Sequence, residues 1–225
     1  MLDSLNYSIS QVFPPHIIDF KKRFRRCHSN YVYTFTYKGV HFNYYLPHHT
    51  LTFSTHAQRI LGKLDVKEND VDVYIKKLTS IIREVVTIKI PKLNLTRCDY
   101  CIDVPTSSNN ELKEIFNLLQ LHHSQFKYIR VNQIYNNSRY LCTPNSSINI
   151  NIYDKFAQIL NTYGYEDERF RNVLRVELQL KKNKIQKLYH KSNIQRDVKK
   201  YWSKEMLQKL YINYLEEYLY KRRLL

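Results

Sequence analysis

Several stretches of the chain alternate apolar and polar residues with a period of two. Others place apolar residues three and four apart, so strands and helices can be separated by pattern alone. Tyr31 to Tyr37 and Val40 to Leu46 are β-branched and aromatic, and Lys38-Gly39 between them predicts a hairpin. Leu51 to Ser54 reads as a third short strand, and Thr55 to Gly62 as a helix that its glycine ends. Asn69 and Asp70 are suited to cap a helix to about Val86, with Val71, Ile75, Leu78 and Ile82 on one side. Leu95 to Val104 is a strand stopped by Pro105, and Ser107 to Leu121 a helix capped by Ser108 or Asn109. Strands are predicted at Phe126–Ile134, Arg139–Cys142 and Ile148–Tyr153, then a helix at Lys155–Tyr163 and a strand at Val173–Lys181. Beyond these, Val198, Tyr201, Trp202, Met206, Leu210, Tyr214 and Tyr218 recur at helical spacing. The expected fold is α+β, a mainly antiparallel sheet with helices on one face and a C-terminal helical segment. The expected organisation is a basic arm over residues 1–30, a central domain over 31–182 and helices over 183–225.

Composition narrows the function. The 225 residues hold 36 Lys and Arg against 20 Asp and Glu, a formal charge of +16 at pH 7. Such a field captures polyanions and predicts nucleic acid as the partner. Genomic preference for AT-rich codons explains lysine over arginine but not the excess of bases over acids. No run approaches the ~18 apolar residues of a membrane helix, so no membrane role is expected. Met1 to Phe13 lacks the basic start and apolar stretch of a signal peptide, which predicts a cytoplasmic protein. The three glycines, Gly39, Gly62 and Gly164, are isolated, so neither a phosphate-cradling loop nor a dinucleotide fingerprint is present. Cys98 and Cys101 have C-x-x-C spacing, but three residues apart on a strand they point to opposite faces. With no second pair to complete four ligands, buried thiols are expected rather than zinc.

Three strands carry polar chemistry that a purely structural strand does not need. Arg97, Asp99, Cys101 and Asp103 share one face of the first, with the two carboxylates ~13–14 Å apart. Arg175, Glu177 and Gln179 share one face of Leu174–Leu180. Three isoleucines, Ile148, Ile150 and Ile152, line the third, which ends in Asp154. On a strongly basic protein, such acids suggest Mg²⁺ or Mn²⁺ polarising a scissile phosphate that basic residues hold.

The order Arg-x-Asp-x-x-x-Asp (Arg97–Asp103), Ile-Tyr-Asp-Lys (Ile152–Lys155) and Leu-Arg-Val-Glu-Leu-Gln-Leu (Leu174–Leu180) resembles plasmid and phage rolling-circle replication initiators. These are the Rep_trans-type proteins, the related conjugative nickases and gene II-like phage proteins. Leu51 to Lys63 is similar to the segment such proteins carry before the first motif. The resemblance spans roughly Tyr31 to Lys182.

It implies a metal-dependent nick of one DNA strand at an origin, single-stranded or supercoiled, in a bacterial host's cytoplasm. A tyrosine hydroxyl attacks phosphorus and leaves a 5′-phosphotyrosyl link with a free 3′-hydroxyl. Tyr140, which opens the segment leading into Ile-Tyr-Asp-Lys, is the first candidate nucleophile, although Cys142-Thr143 replaces the family's usual Gly-Ser. Tyr189 and Tyr201 follow, although apolar periodicity suits Tyr201, Tyr214 and Tyr218 better to core packing. The His-hydrophobe-His pair of other nickases is absent. The metal site would rest on Asp99, Asp103 and Glu177, with Asp154 a further candidate. Arg97 and Arg175 would hold phosphate or orient those acids. Lys21, Lys22, Arg23, Arg25 and Arg26 form either a DNA-contacting arm or a solvated face. Arg97, Lys155, Lys181 and Lys182, in or beside the motifs, are the further candidate DNA-binding residues. A host helicase and a second copy of the chain are the further partners considered, and a binding-only regulator of the same fold is the alternative function.

Overall fold

A computed structural model describes residues 2–26, 31–63, 66–89, 93–122, 129–130, 138–142, 147–192 and 197–219. The chain divides into two compact units, one of residues 1–98 and 185–208, the other of residues 99–184 and 209–225. The fold class is α+β, as the mixed periodicities require. Among the described residues no helix is long and apolar enough to cross a membrane.

In the first unit the strand order is β2-β3-β4-β5-β1-β6. These are β1 (Leu2–Ile9), β2 (Arg25–Arg26), β3 (Val32–Tyr37), β4 (Val40–Tyr45), β5 (Thr50–His56) and the start of β6 (Asn94–Pro105). β1 pairs antiparallel with β5, β5 with β4, β4 with β3, and β3 with β2. The β3–β4 turn is the predicted Lys38-Gly39, with φ of 46° and 78°. Two successive residues at positive φ are what a two-residue hairpin turn demands, and only the glycine takes that region freely.

The two faces of this sheet differ sharply in chemistry. Tyr7, Phe53, Phe42 and Phe35 lie opposite one another across β1, β5, β4 and β3. Their ring centroids are 5.2, 5.8 and 4.8 Å apart, and Phe24 continues the row 4.3 Å from Phe35. Cross-strand aromatic neighbours of this kind add specific contact to area burial. Helix α3 (Val71–Arg83) buries Tyr74, Leu78, Ile81 and Ile82. The Tyr74 hydroxyl meets that of Tyr7 at 3.2 Å, and its ring packs 4.8 Å from Trp202 of α7 (Val198–Trp202). The opposite face carries Asn6, Ser54, His41 and Thr36 in one row, and Ser8, Thr52, Asn43, Thr34 and Arg25 in the next.

The N-terminal segment departs from expectation. Residues 2–9 are not part of a basic arm but a strand between β5 and β6, with Leu2, Leu5, Tyr7 and Ile9 buried. Alternation of Leu5, Tyr7 and Ile9 with Asn6 and Ser8 is the cause, and it outweighs the polar average of the segment. The basic run behind it is ordered locally. Phe20 and Phe24 of the turn α1 (Phe20–Arg23) and its end pack against the aromatic face, leaving Lys21, Lys22, Arg25 and Arg26 exposed. α2 (Ala57–Leu61) ends at Gly62, which has φ 72°.

In the second unit the order is β6-β10-β9-β8-β7, from β7 (Ile129–Arg130), β8 (Ser138–Cys142), β9 (Ile148–Asp154) and β10 (Val173–Leu180). β10–β9, β9–β8 and β8–β7 are antiparallel. Helices α4 (Asn109–His122) and α5 (Lys155–Tyr163) belong here, with Leu112, Phe116 and Ile159 buried. Most of the predicted strand Phe126–Ile134 lies outside the described residues. The C-terminal region is helical, as α6 (Lys182–Ser192), α7 and α8 (Lys204–Leu219). It is not a separate body, since residues 185–208 fall in the first unit and residues from 209 in the second.

Candidate active site

The motif strands of the second unit lie side by side, and their register sorts the polar residues into rows. Ser138, Tyr153 and Arg175 stand opposite one another across β8, β9 and β10. Tyr140, Asn151 and Glu177 form the next row, and Cys142, Asn149 and Gln179 the third. The intervening positions Ile148, Ile150, Ile152, Leu174, Leu178 and Leu180 are buried. Period-two alternation on β9 and β10 therefore sends one set of side chains to the core and gathers the other on a single face.

That face is tied together by hydrogen bonds. Glu177 accepts from the Tyr153 hydroxyl on one carboxylate oxygen, and from Asn151 Nδ2 at 3.3 Å on the other. Asn149 donates to Gln179 at 3.2 Å. Arg175 reaches across to β6 and grips Asp103 with Nε at 2.5 Å and Nη2 at 2.7 Å, a two-pronged contact. The Arg175 side chain is 7% exposed and that of Asp103 33%. Burial works against the guanidinium's charge, but the hydrogen bonds to Asp103 and the anionic neighbourhood outweigh it, so its pKa rises. Held in this way, Arg175 commits Nε and Nη2 to Asp103 and orients that acid. The Oδ1 atom of Asn151 is buried with no hydrogen-bond partner among the described residues.

The remaining sequence candidates fall in different places. Asp99 is buried at 2% exposure on β6, and Arg97 is half-buried two residues earlier. Asp154 is not in the polar face. It caps α5, accepting from the Ala157 N–H at 3.0 Å, a role its position before a helix favours. Lys155 donates to Gln158 at 2.7 Å and lies 6.0 Å from the Tyr153 ring centre. Lys182 is exposed and Lys181 half-buried. Tyr201 is fully buried in the first unit and cannot meet a phosphate, whereas Tyr189 on α6 is 40% exposed. The side chains of Tyr140, Tyr214 and Tyr218 lie outside the described residues.

Asp99, Asp103 and Glu177 do not gather around one point. Among the described residues no three His, Cys, Asp or Glu side chains form a group that could hold a metal ion. Asp99 and Asp103 are four residues apart on one strand, and both Asp103 and Glu177 already accept from protein donors. As arranged, the three carboxylates do not fit a shared Mg²⁺ or Mn²⁺. Cys98 and Cys101 are buried and not joined in a disulfide.

Tyr153, Asn151 and Tyr211 were not singled out by sequence. Tyr153 stands inside the Ile-Tyr-Asp-Lys motif, and Asn149 and Asn151 alternate with the isoleucines, so a signal existed for these. Tyr211 of α8 places its hydroxyl 2.8 Å from the Val176 carbonyl oxygen and 3.1 Å from that of Tyr100. Buried and bonded to two backbone carbonyls, it is a structural phenol, and burial first, then nearby Cys101, Glu177 and Asp103, raise its pKa. No model of a known protein family matches the chain, and no curated protein is significantly similar to it.

Proposed function

We propose that this chain is a DNA-binding replication initiator that nicks one strand through Tyr140. The observation that carries the proposal is the row Tyr140–Asn151–Glu177. It sets the first-ranked tyrosine on the same row as the motif glutamate, two strand spacings away, or about 10 Å between backbones. Asn151 Oδ1 on that row, buried with no hydrogen-bond partner among the described residues, is an acceptor for a hydroxyl or a ligand donor. In the proposed step the Tyr140 oxygen attacks phosphorus and passes its proton to Glu177, and the 3′-oxygen leaves as a free hydroxyl by taking a proton from water, to which Glu177 then gives its own. The 5′ side remains esterified to the tyrosine. The Tyr153 hydroxyl and Asn151 Nδ2 hold the two oxygens of Glu177, so that it is presented in one orientation. The excess of cations over the whole chain concentrates DNA at the protein, in the cytoplasm of a bacterial host.

The test is conversion of supercoiled plasmid, carrying the chain's own gene and flanking DNA, to the open circular form. Mg²⁺, Mn²⁺ and EDTA serve as assay conditions alone, because the three carboxylates do not share a site. Nicking by wild type that falls at least a hundredfold in Glu177→Gln supports the proposal. A second reading, a binding-only regulator, is favoured by the full engagement of Asp103 and Glu177 by protein donors. Tight binding with no nicking in any condition would establish it.

A further inference from the structure

An open pocket of about 610 Å³ sits in the first unit, lined by Arg23, Arg25, Thr34, Phe35, Thr36, Tyr37 and His41. Its floor is the outer edge of β3. The two-residue strand β2 pairs only with Tyr33 and Thr34, so among the described residues no strand lies beside Phe35 to Tyr37 on that side. An edge strand turns alternate N–H and C=O groups outward, which makes this floor a row of backbone donors and acceptors. Arginines cover the rim. Arg25 is exposed on β2, and Arg23 is held in place by its bond to the Glu84 carbonyl oxygen at 3.2 Å and by lying 5.0 Å from the Tyr37 ring centre. Thr36 and His41 stand opposite each other, with Oγ1 and Nδ1 3.1 Å apart, and both are exposed. Glu84 is the acid at this rim, and its carboxylate is occupied by Lys38 at 2.7 and 2.9 Å and by the Tyr37 hydroxyl at 2.6 Å. Lys38 thus offsets Glu84, and among the described residues the pocket's charged lining is Arg23 and Arg25, which makes it positive.

We propose that this pocket is a subsite for one nucleotide of single-stranded DNA, with its phosphate on Arg25 and Arg23 and its base against the edge of β3. A guanidinium fork matches phosphate oxygens two at a time. Backbone N–H and C=O groups can bond the pairing edge of a base only when that base has no partner strand, which selects single strands over duplex. The volume of about 610 Å³ is enough for one nucleotide. The polar rows running inward from Arg25 and Thr36 continue the surface, so a strand has hydroxyl, amide and imidazole partners beyond the pocket.

This subsite rests on the proposed DNA-binding function and is separate from the proposed cleavage. The measurement is fluorescence anisotropy of a labelled oligothymidylate with the whole protein, over a series of salt concentrations. Arg25→Ala should weaken binding about tenfold or more and lower the salt slope by about one. Arg25→Lys should also weaken it several-fold, because the charge stays but the fork is lost. Thr36→Val with His41→Ala should weaken the single strand while leaving duplex of the same length unchanged. All these residues except Arg23 are exposed or on an edge, and circular dichroism checks that each variant is folded. Wild-type binding with unchanged affinity in Arg25→Ala and in the double variant would overturn the subsite alone. Failure of wild type to bind any oligonucleotide would overturn the DNA-binding function with it.

Discussion

At the scale of single residues, the most constrained group is Arg175. It is a nearly buried cation whose compensation comes from one carboxylate, Asp103. Removing the arginine leaves a largely solvated acid unmatched, whereas removing the acid leaves a guanidinium stranded in the interior. Arg175→Ala is expected to lower stability by about 2–3 kcal/mol, below the range for a fully buried pair because Asp103 is a third exposed. Asp103→Asn, which keeps an acceptor but loses the charge, should cost at least as much, since the arginine is the deeper partner. Urea unfolding checks both. The Arg-x-Asp-x-x-x-Asp and Leu-Arg-Val-Glu spacings placed Asp103 and Arg175 on polar strand faces, but nothing in one strand says which residue faces which on another. Only the pairing of β6 with β10 decides that Arg175 meets Asp103. The same limit explains why Asp99, Asp103 and Glu177 were expected to meet and do not.

At the scale of elements, the pattern of the chain was most informative where alternation was long. β3, β4, β9, β10 and α5 fall within a residue or two of their predicted bounds. β1 was obscured because a polar, basic average over thirty residues hid three alternating apolar positions. The aromatic row from Tyr7 to Phe35 could not be read from sequence at all, because it depends on the register of four strands. Phe42 stands within that row and is completely buried. Phe42→Ala should destabilise the protein by about 3–5 kcal/mol, measured by thermal or urea unfolding. Paired carboxylates at element ends should govern the acid limb of stability. The Lys38 ammonium and then the Tyr37 phenol hold Glu84 below its usual pKa, Lys63 and the Lys67 N–H do the same for Asp70, and Arg169 for Asp167. A carboxyl with a depressed folded-state pKa stabilises the fold above its unfolded value, and that contribution disappears as pH falls through the folded one. The melting temperature should therefore fall most steeply below about pH 4. Glu84→Gln should flatten part of that fall, and an unchanged profile would show that the Lys38–Glu84 pair contributes nothing.

At the scale of the whole molecule, charge and motif make separate claims. The +16 charge predicts a polyanion partner whatever the motifs do. If about six cations displace counterions, affinity for DNA should fall roughly a thousandfold between about 50 and 200 mM salt. A shallow salt dependence would mean that the charge serves some other end. The cutting claim is narrower and rests on Tyr140, Asn151 and Glu177 sharing a row. The most direct test is to incubate the protein with single-stranded DNA from its own gene and flanks, digest both, and search by mass spectrometry for a nucleotide-linked peptide. The account predicts a phosphotyrosyl peptide containing Tyr140, present in wild type and absent in Tyr140→Phe. An adduct on another tyrosine would contradict the assignment of the nucleophile, and no adduct under any condition would contradict the nickase itself.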